Sequence, residues 1–355
     1  MVRQNPHNLQ VAAVFGFAIR LASHLFIAPV FQATIYIFVF LMLTISPEIP
    51  APLSRNIEDY PEGIVLVVNK PYRWTSADVI RKVKWLACRH FGKKNLKVGH
   101  AGTLDPLATG VLLVCIGNAT KKAEQLQARD KEYIAGISFG ATTPSYDLEK
   151  DIDRRFPTGG ISVESVRKAL EGFLGEQEQI APLFSAKSVD GVRAYELARK
   201  LYRKQHSSSA ESQGQPQPLV SEQNADSAFD TQAVSLIRSA RIRIDALDLL
   251  NFSPEGSARF APEMAPDYSG MSDEEIARAK DKDSRINIVD ITPLHLPLAE
   301  VRIACTKGTY IRAFARDLGE ALDSGAFLSY LTRSRSGDHS LSEALSMTQL
   351  RQIFS

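Results

Sequence analysis

The spacing of apolar and polar residues divides the chain into short elements. Ile64 to Val68 is an unbroken apolar run entered through Pro61 and Gly63 and closed by Asn69, which predicts a strand buried on both faces. Thr75 and Ser76 then offer caps to a helix whose apolar positions Val79, Val83, Leu86 and Ala87 keep helical spacing. Val111 to Ile116 predicts a second buried strand, and Tyr133, Ala135, Ile137 and Phe139 alternate as a third would. Helical patterns follow near 163–174, 192–203 and 309–322. In the last of these Ile311, Phe314, Ala315, Leu318 and Leu322 form one stripe, leaving Arg312 and Arg316 together on another.

Three stretches break this rhythm. From 21 to 47 there is no Asp, Glu, Lys or Arg, a length that would span a bilayer. The segment is expected to be either a membrane anchor, with Arg3 and Arg20 favouring a cytoplasmic N-terminus, or an upstream extension with no part in the folded domain. Residues 204–232, rich in Ser, Gln and Pro, cannot bury enough apolar surface to order themselves. Residues 255–285 mix Pro, Gly and Met with eight acidic and five basic residues and could carry one short helix at 272–279. Both read as insertions in a single domain over 51–355, preceded by the 1–50 extension.

Composition adds constraints more than positive signals. With 355 residues, 44% apolar and 23% charged, the chain is globular in class, and a formal charge of +2 does not announce a nucleic-acid partner. Any basic footprint must be local. Between Arg73 and Lys97 eight Lys or Arg face one acidic residue, a net +7 that includes Arg81, Lys82, Lys84, Lys93 and Lys94, and Arg193 and Arg199 begin a second basic stretch. Cys88, Cys115 and Cys305 are too few and too scattered for a disulfide framework and have no paired spacing suited to zinc, so neither a structural metal nor a cofactor is expected.

The candidate chemistry centres on GHAGTLDPLATGVLLV, which begins at Gly99. Pro106 confines Asp105 to extended backbone, and Gly99, Gly102 and Gly110 let the chain turn and a substrate approach closely. Alone, such a loop could equally be a turn whose Asp caps a helix. GHAGTLDPLATGVL, however, resembles the central motif of the TruB-type tRNA pseudouridine synthases. Further motifs follow in that family's order: NKPYRWTS at 69–76, KEY at 131–133, FSAKSVDGVRAYELAR at 184–199, CTKGTYIRAFARDLGEAL at 305–322 and GAFLSYLTRSRSG at 325–337. Asn69 and Arg73 stand where Asp and Gly are commoner in the first of these.

The resemblance implies an α+β fold, the pseudouridine synthase fold, with a mostly antiparallel mixed sheet flanked by helices and an inserted RNA-gripping segment. It implies that Asp105 is the catalytic nucleophile with Arg312 as its cationic partner, and that Tyr133 stacks on the target base and moves a proton. Tyr310 and Leu331 would line the base pocket, and His100 would fill the stack that an extruded uridine leaves. Lys70 and Asp147 are expected on the substrate side, Lys70 bracing the catalytic loop, although TTPSYD around Asp147 departs from the family's usual TDTxD. The implied partner is the TΨC arm of tRNA, with uridine 55 the target and no protein partner needed. A monomeric, cytoplasmic protein without a C-terminal PUA domain is expected. The residues alone leave two rivals open, a catalytically silent tRNA-binding module and an N-glycoside hydrolase. A hydrolase of the usual kind would need a second catalytic carboxylate at a defined separation, which the matched motifs lack.

Overall fold

The computed structural model describes residues 43–45, 52–182, 188–189, 192–193, 239–256 and 288–355, together with helical positions at 273, 274, 276, 277 and 280. The first four of those isolated positions fall where the short helix at 272–279 is expected, and 280 lies one residue beyond it. The rest of both insertions, Arg199, and the apolar segment up to residue 42 lie outside the described residues. Among the described residues no helix is long and apolar enough to cross a membrane.

Ten strands build one sheet: β1 (Leu43–Ile45), β2 (Ile64–Lys70), β3 (Val98–His100), β4 (Ala108–Ile116), β5 (Lys131–Phe139), β6 (Gly175–Gln179), β7 (Ala240–Ser253), β8 (Leu298–Cys305), β9 (Ala326–Ser336) and β10 (His339–Ser340). Their order across the sheet is β1-β2-β4-β9-β5-β8-β7-β6, with β3 on β4 and β10 on β9. Only β1/β2 and β4/β9 run parallel, so the sheet is mixed and mostly antiparallel, as expected. One boundary differs from expectation. Leu43–Ile45, the end of the apolar segment read as a membrane anchor or a dispensable extension, pairs with Ile64–Leu66 as an edge strand. An apolar run supplies β-forming residues to a sheet edge as readily as it supplies a membrane span, and hydropathy cannot separate the two.

Every residue of β4 is buried, which is why its sequence is continuously apolar and not alternating. The helix α1 (Ser76–His90) starts where expected: Thr75 and Asp78 close a reciprocal capping box, and Val79, Val83, Leu86 and Ala87 are buried. The short α2 (Ala123–Gln127) precedes β5, and α3 (Val163–Glu171) buries Val166 and Leu170. In α4 (Ile311–Glu320), Phe314 meets Phe173 edge to face at 5.3 Å. The helix α5 (Met347–Ile353) buries Met347, Leu350 and Ile353. At the start of the helix expected over 192–203, Val192–Arg193 forms a two-residue antiparallel ladder with Ser188–Val189, so Arg193 lies on a strand, and residues 194–203 lie outside the described residues. The intervening Asp190-Gly191 explains this, since that dipeptide is a strong two-residue hairpin signal.

The departures at Asn69 and Arg73 have structural answers. Asn69 keeps an acceptor, its Oδ1 taking the Gly110 N–H at 3.2 Å. Arg73 has φ +65°, the left-handed region where glycine is the unstrained choice. Gly110 itself has φ +98°, and a Cβ there would lie 2.3 Å from the Arg333 carbonyl oxygen across the β4/β9 pairing. Gly110→Ala is therefore expected to destabilise the fold by at least about 2 kcal/mol, measured by denaturant titration, because strain and backbone collision add.

Candidate active site

Asp105 sits in the loop between β3 and β4, and nearly everything around that loop serves to fix it. The hydroxyl of Ser76, at the start of α1, donates to the Leu104 carbonyl at 3.1 Å and accepts the Leu104 N–H at 2.9 Å. Lys70 is wholly buried; its Nζ donates to the Pro106 carbonyl at 3.1 Å and to those of Pro71 and Trp74 at 2.9 and 2.5 Å. Arg333 donates to the Gly102 and Thr103 carbonyls at 3.2 and 3.4 Å, and the Ala108 N–H donates to the Asp105 carbonyl at 3.1 Å. Every backbone carbonyl from Gly102 to Pro106 is thus engaged. Lys70 has no surface left to meet a substrate, so its place on the substrate side is corrected to that of an internal brace.

The loop holds the Asp105 carboxylate against Arg312, the second residue of α4. Arg312 Nε donates to Oδ2 at 2.9 Å and Nη2 to Oδ1 at 3.2 Å, a forked pair that fixes both oxygens. The Arg312 side chain is 5% exposed and that of Asp105 40%, so the pair joins the interior to a cavity. Burial alone would favour loss of the Arg312 proton, but Asp105, Asp147 and Glu149 outweigh it and hold the guanidinium above its ordinary value. Asp147 is buried behind the arginine, its Oδ2 3.7 Å from Nε, and its Oδ1 accepts from the Ser145 hydroxyl and the Glu149 N–H. Burial raises the Asp147 carboxyl despite these partners. Asp147 thus stands behind the arginine, and it also borders a second, smaller pocket that Asp105 and Leu331 share.

A cavity of about 280 Å³ opens over Asp105, lined also by Tyr310, Arg312 and Leu331, with Lys131 and Arg333 beside them. Tyr310 ends the loop before α4. Its backbone N–H donates to the side chain of buried Gln179 at 2.8 Å, and its carbonyl accepts from the same side chain at 3.2 Å. Tyr133 is 9% exposed and does not line the cavity, but it stands on the same face of the sheet. Leu331 lies opposite Ala135 and Arg333 opposite Tyr133 in the β5/β9 register, and directly opposed residues share a face. His100, also outside the lining, ends β3 with its Nδ1 buried and without a partner among the described residues. Burial, reinforced by Arg333, lowers its pKa.

The basic residues of the 73–97 stretch divide. Arg81 and Lys84 are exposed on α1, with Arg81 paired to its own capping Asp78; Lys82 lies over the Trp85 ring at 5.1 Å. Lys93 reaches Glu58 at 3.3 Å, and Lys94 is exposed. Among the described residues no group of His, Cys, Asp or Glu could hold a metal ion. Sequence reasoning missed Ser76, Ser145, Gln179 and Arg333. Only Arg333 left a signal, since strand alternation from Leu331 puts it on the same face as that pocket-lining residue.

Residues 89–211 match the model of the TruB family pseudouridylate synthase N-terminal domain. Similar curated proteins include the tRNA pseudouridine synthase B of Phocaeicola vulgatus, 41% identical over 289 residues that cover 81% of this chain and 92% of that protein. The tRNA pseudouridine synthase B of Bacteroides fragilis is 41% identical over 287 residues, with the same two coverages. That of Thermus thermophilus is 37% identical over 284 residues, covering 80% of this chain and 76% of its own length.

Two expectations follow from the electrostatics and the bracing. Lys70→Met should lower stability by about 2–4 kcal/mol in a denaturant titration, since three carbonyls lose a charged donor in the interior. Glu149, pushed up to about 7 by burial and by Asp147, favours the fold when protonated. Its contribution is fully present below its ordinary value of 4.5 and is lost as pH rises through about 7. Glu149→Gln should thus be relatively more stable than the parent at pH 8 than at pH 4.5, and equal offsets at both pH values would contradict this.

Proposed function

The chain belongs to the TruB family of pseudouridylate synthases, and on that premise we propose that it converts uridine 55 in the TΨC loop of tRNA to pseudouridine. The observation that carries this reading is the forked Asp105–Arg312 pair at the floor of a cavity wide enough for a base. The reaction breaks the N-glycosidic bond, turns the uracil and rejoins it through carbon, so no electrons leave or enter and no cofactor is required. Asp105 is the nucleophile. Both its oxygens are held by Arg312, and the pinned loop keeps the carboxylate from turning away, so its approach to the sugar is set before substrate arrives.

Tyr310 and Leu331 form the polar and apolar walls against the flipped base, and Tyr133, on the same sheet face, carries the proton that the carbon linkage releases. A uridine must leave its stack to reach Asp105, at a cost of a few kcal/mol, and His100 is the residue that fills the gap. Arg81, Lys82, Lys84, Lys93 and Lys94, with Arg193 and Arg199, supply phosphate contacts that set affinity without reading sequence. The protein works on tRNA as a cytoplasmic monomer and without a protein partner in this reading.

Incubation with an unmodified tRNA transcript followed by pseudouridine mapping tests the proposal. Pseudouridine at position 55 is the expected product; release of free uracil would point to hydrolysis, and binding without product to a silent module. Asp105→Asn should reduce turnover by at least about 10³-fold while tRNA affinity stays within about threefold, because phosphate contacts lie elsewhere. Turnover within tenfold of the parent would refute the role of Asp105.

A further inference from the structure

Arg333 has no part in the reading above, yet it is the most voluminous of the fully buried side chains, 1% exposed. Among the described residues no carboxylate pairs with it; its guanidinium donates to the carbonyls of Gly102 and Thr103, and its Nε to that of Val111 at 2.6 Å. A buried cation held only by carbonyls is costly, because partial dipoles replace neither water nor a counter-ion in full. The β5/β9 register sets Arg333 directly opposite Tyr133 on one face of the sheet, where its positive charge acts on the phenol. Arg333 also lines the cavity that holds Asp105.

We propose that Arg333 is a positioning residue of the isomerisation, fixing a positive charge beside the Tyr133 phenol on the sheet face that carries the cavity over Asp105. The inference rests on the assignment of Tyr133 as the proton carrier. In the overall change N1–C1′ breaks, C5–C1′ forms, C5 gives up a proton and N1 gains one. Tyr133 as phenolate takes the C5 proton and becomes the phenol, N1 is protonated from water, and the phenol returns its proton to water. Arg333 offsets the negative charge on the tyrosine oxygen before the transfer. The same side chain clamps the loop that presents Asp105, so nucleophile and proton carrier are registered to each other through one guanidinium. Burial raises the Tyr133 hydroxyl, and Arg333 is the largest influence opposing that rise. Without it the phenolate becomes scarcer at any pH below its pKa.

The full chain carrying Arg333→Gln or Arg333→Lys, assayed on unmodified tRNA, separates this role from simple bracing. In the Gln variant kcat should fall by about 100-fold with KM within about threefold, since a residue this buried cannot touch phosphates. The deficit should shrink as pH rises from about 7 to about 9, and Lys, which keeps the charge, should recover part of the rate. In parallel, 3-fluorotyrosine placed at position 133 should titrate, by ¹⁹F NMR, at higher pH in Arg333→Gln than in the parent. An unchanged kcat, or a deficit constant with pH together with an unmoved ¹⁹F titration, would overturn the proposal. If Arg333→Gln fails to fold, Arg333→Lys must still show a pH-dependent deficit and a shifted titration, and the proposal falls if it does not. A parent protein that forms no pseudouridine would sink the functional reading, whereas the ¹⁹F comparison would still decide whether Arg333 governs Tyr133.

Discussion

The pairing of one buried guanidinium with Asp105 is the constraint around which this architecture is arranged. Arg312 is out of water and faces three carboxylates, those of Asp105, Asp147 and Glu149. Stripping an arginine of solvent costs several kcal/mol unless its donors are met, and here a fork to Asp105 and a bond to the Ser145 carbonyl meet them. Asp105, its side chain 40% exposed against 7% for Asp147, opens onto the larger cavity, so the charge that stabilises the interior is also one that faces outward.

That pairing can be maintained only if the loop bearing Asp105 is stiff. Stiffness comes from a division of labour in which side chains from two distant parts of the chain, Lys70 with Ser76 and Arg333, take four of the loop's backbone carbonyls. Two of the three are cations with no role at the surface. Charged donors make stronger bonds than neutral ones, and in a low-dielectric interior they resist displacement by water. The cost is two more desolvated charges in a fold whose net stability is small. The return on that cost is a carboxylate whose position is set in advance, with little freedom left to lose when a ligand enters the cavity.

The sheet supplies the frame for both. The strand β4 follows the loop, β9 runs parallel to it with Leu331 and Arg333, and β5 lies on the far side of β9 with Tyr133. Residues from opposite ends of the sequence are therefore set side by side by register alone. Arg312 comes from outside this trio, on a helix whose first turn is tied to Gln179 through both polar groups of the Tyr310 backbone.

Local pattern was sufficient for much of this. The buried strands at 64–70 and 108–116, the capped helix at 76–90 and the catalytic loop were legible because period, caps and glycine positions are written within a few residues of where they act. The resemblance of six ordered motifs then named Asp105, Arg312 and Tyr133 before any fold was at hand. What the sequence could not express was depth and direction. How deeply Lys70 and Asp147 lie is decided by tertiary packing, and strand register alone sets Arg333 beside Tyr133 and the loop. Hydropathy over 21–47 gave no sign that residues 43–45 would pair at a sheet edge, which hydrogen bonding decides. A charged side chain is assigned to surface or interior by partners that stand 36 residues away for Lys70 and more than 200 for Arg333, and those partners exist only once the chain has closed on itself.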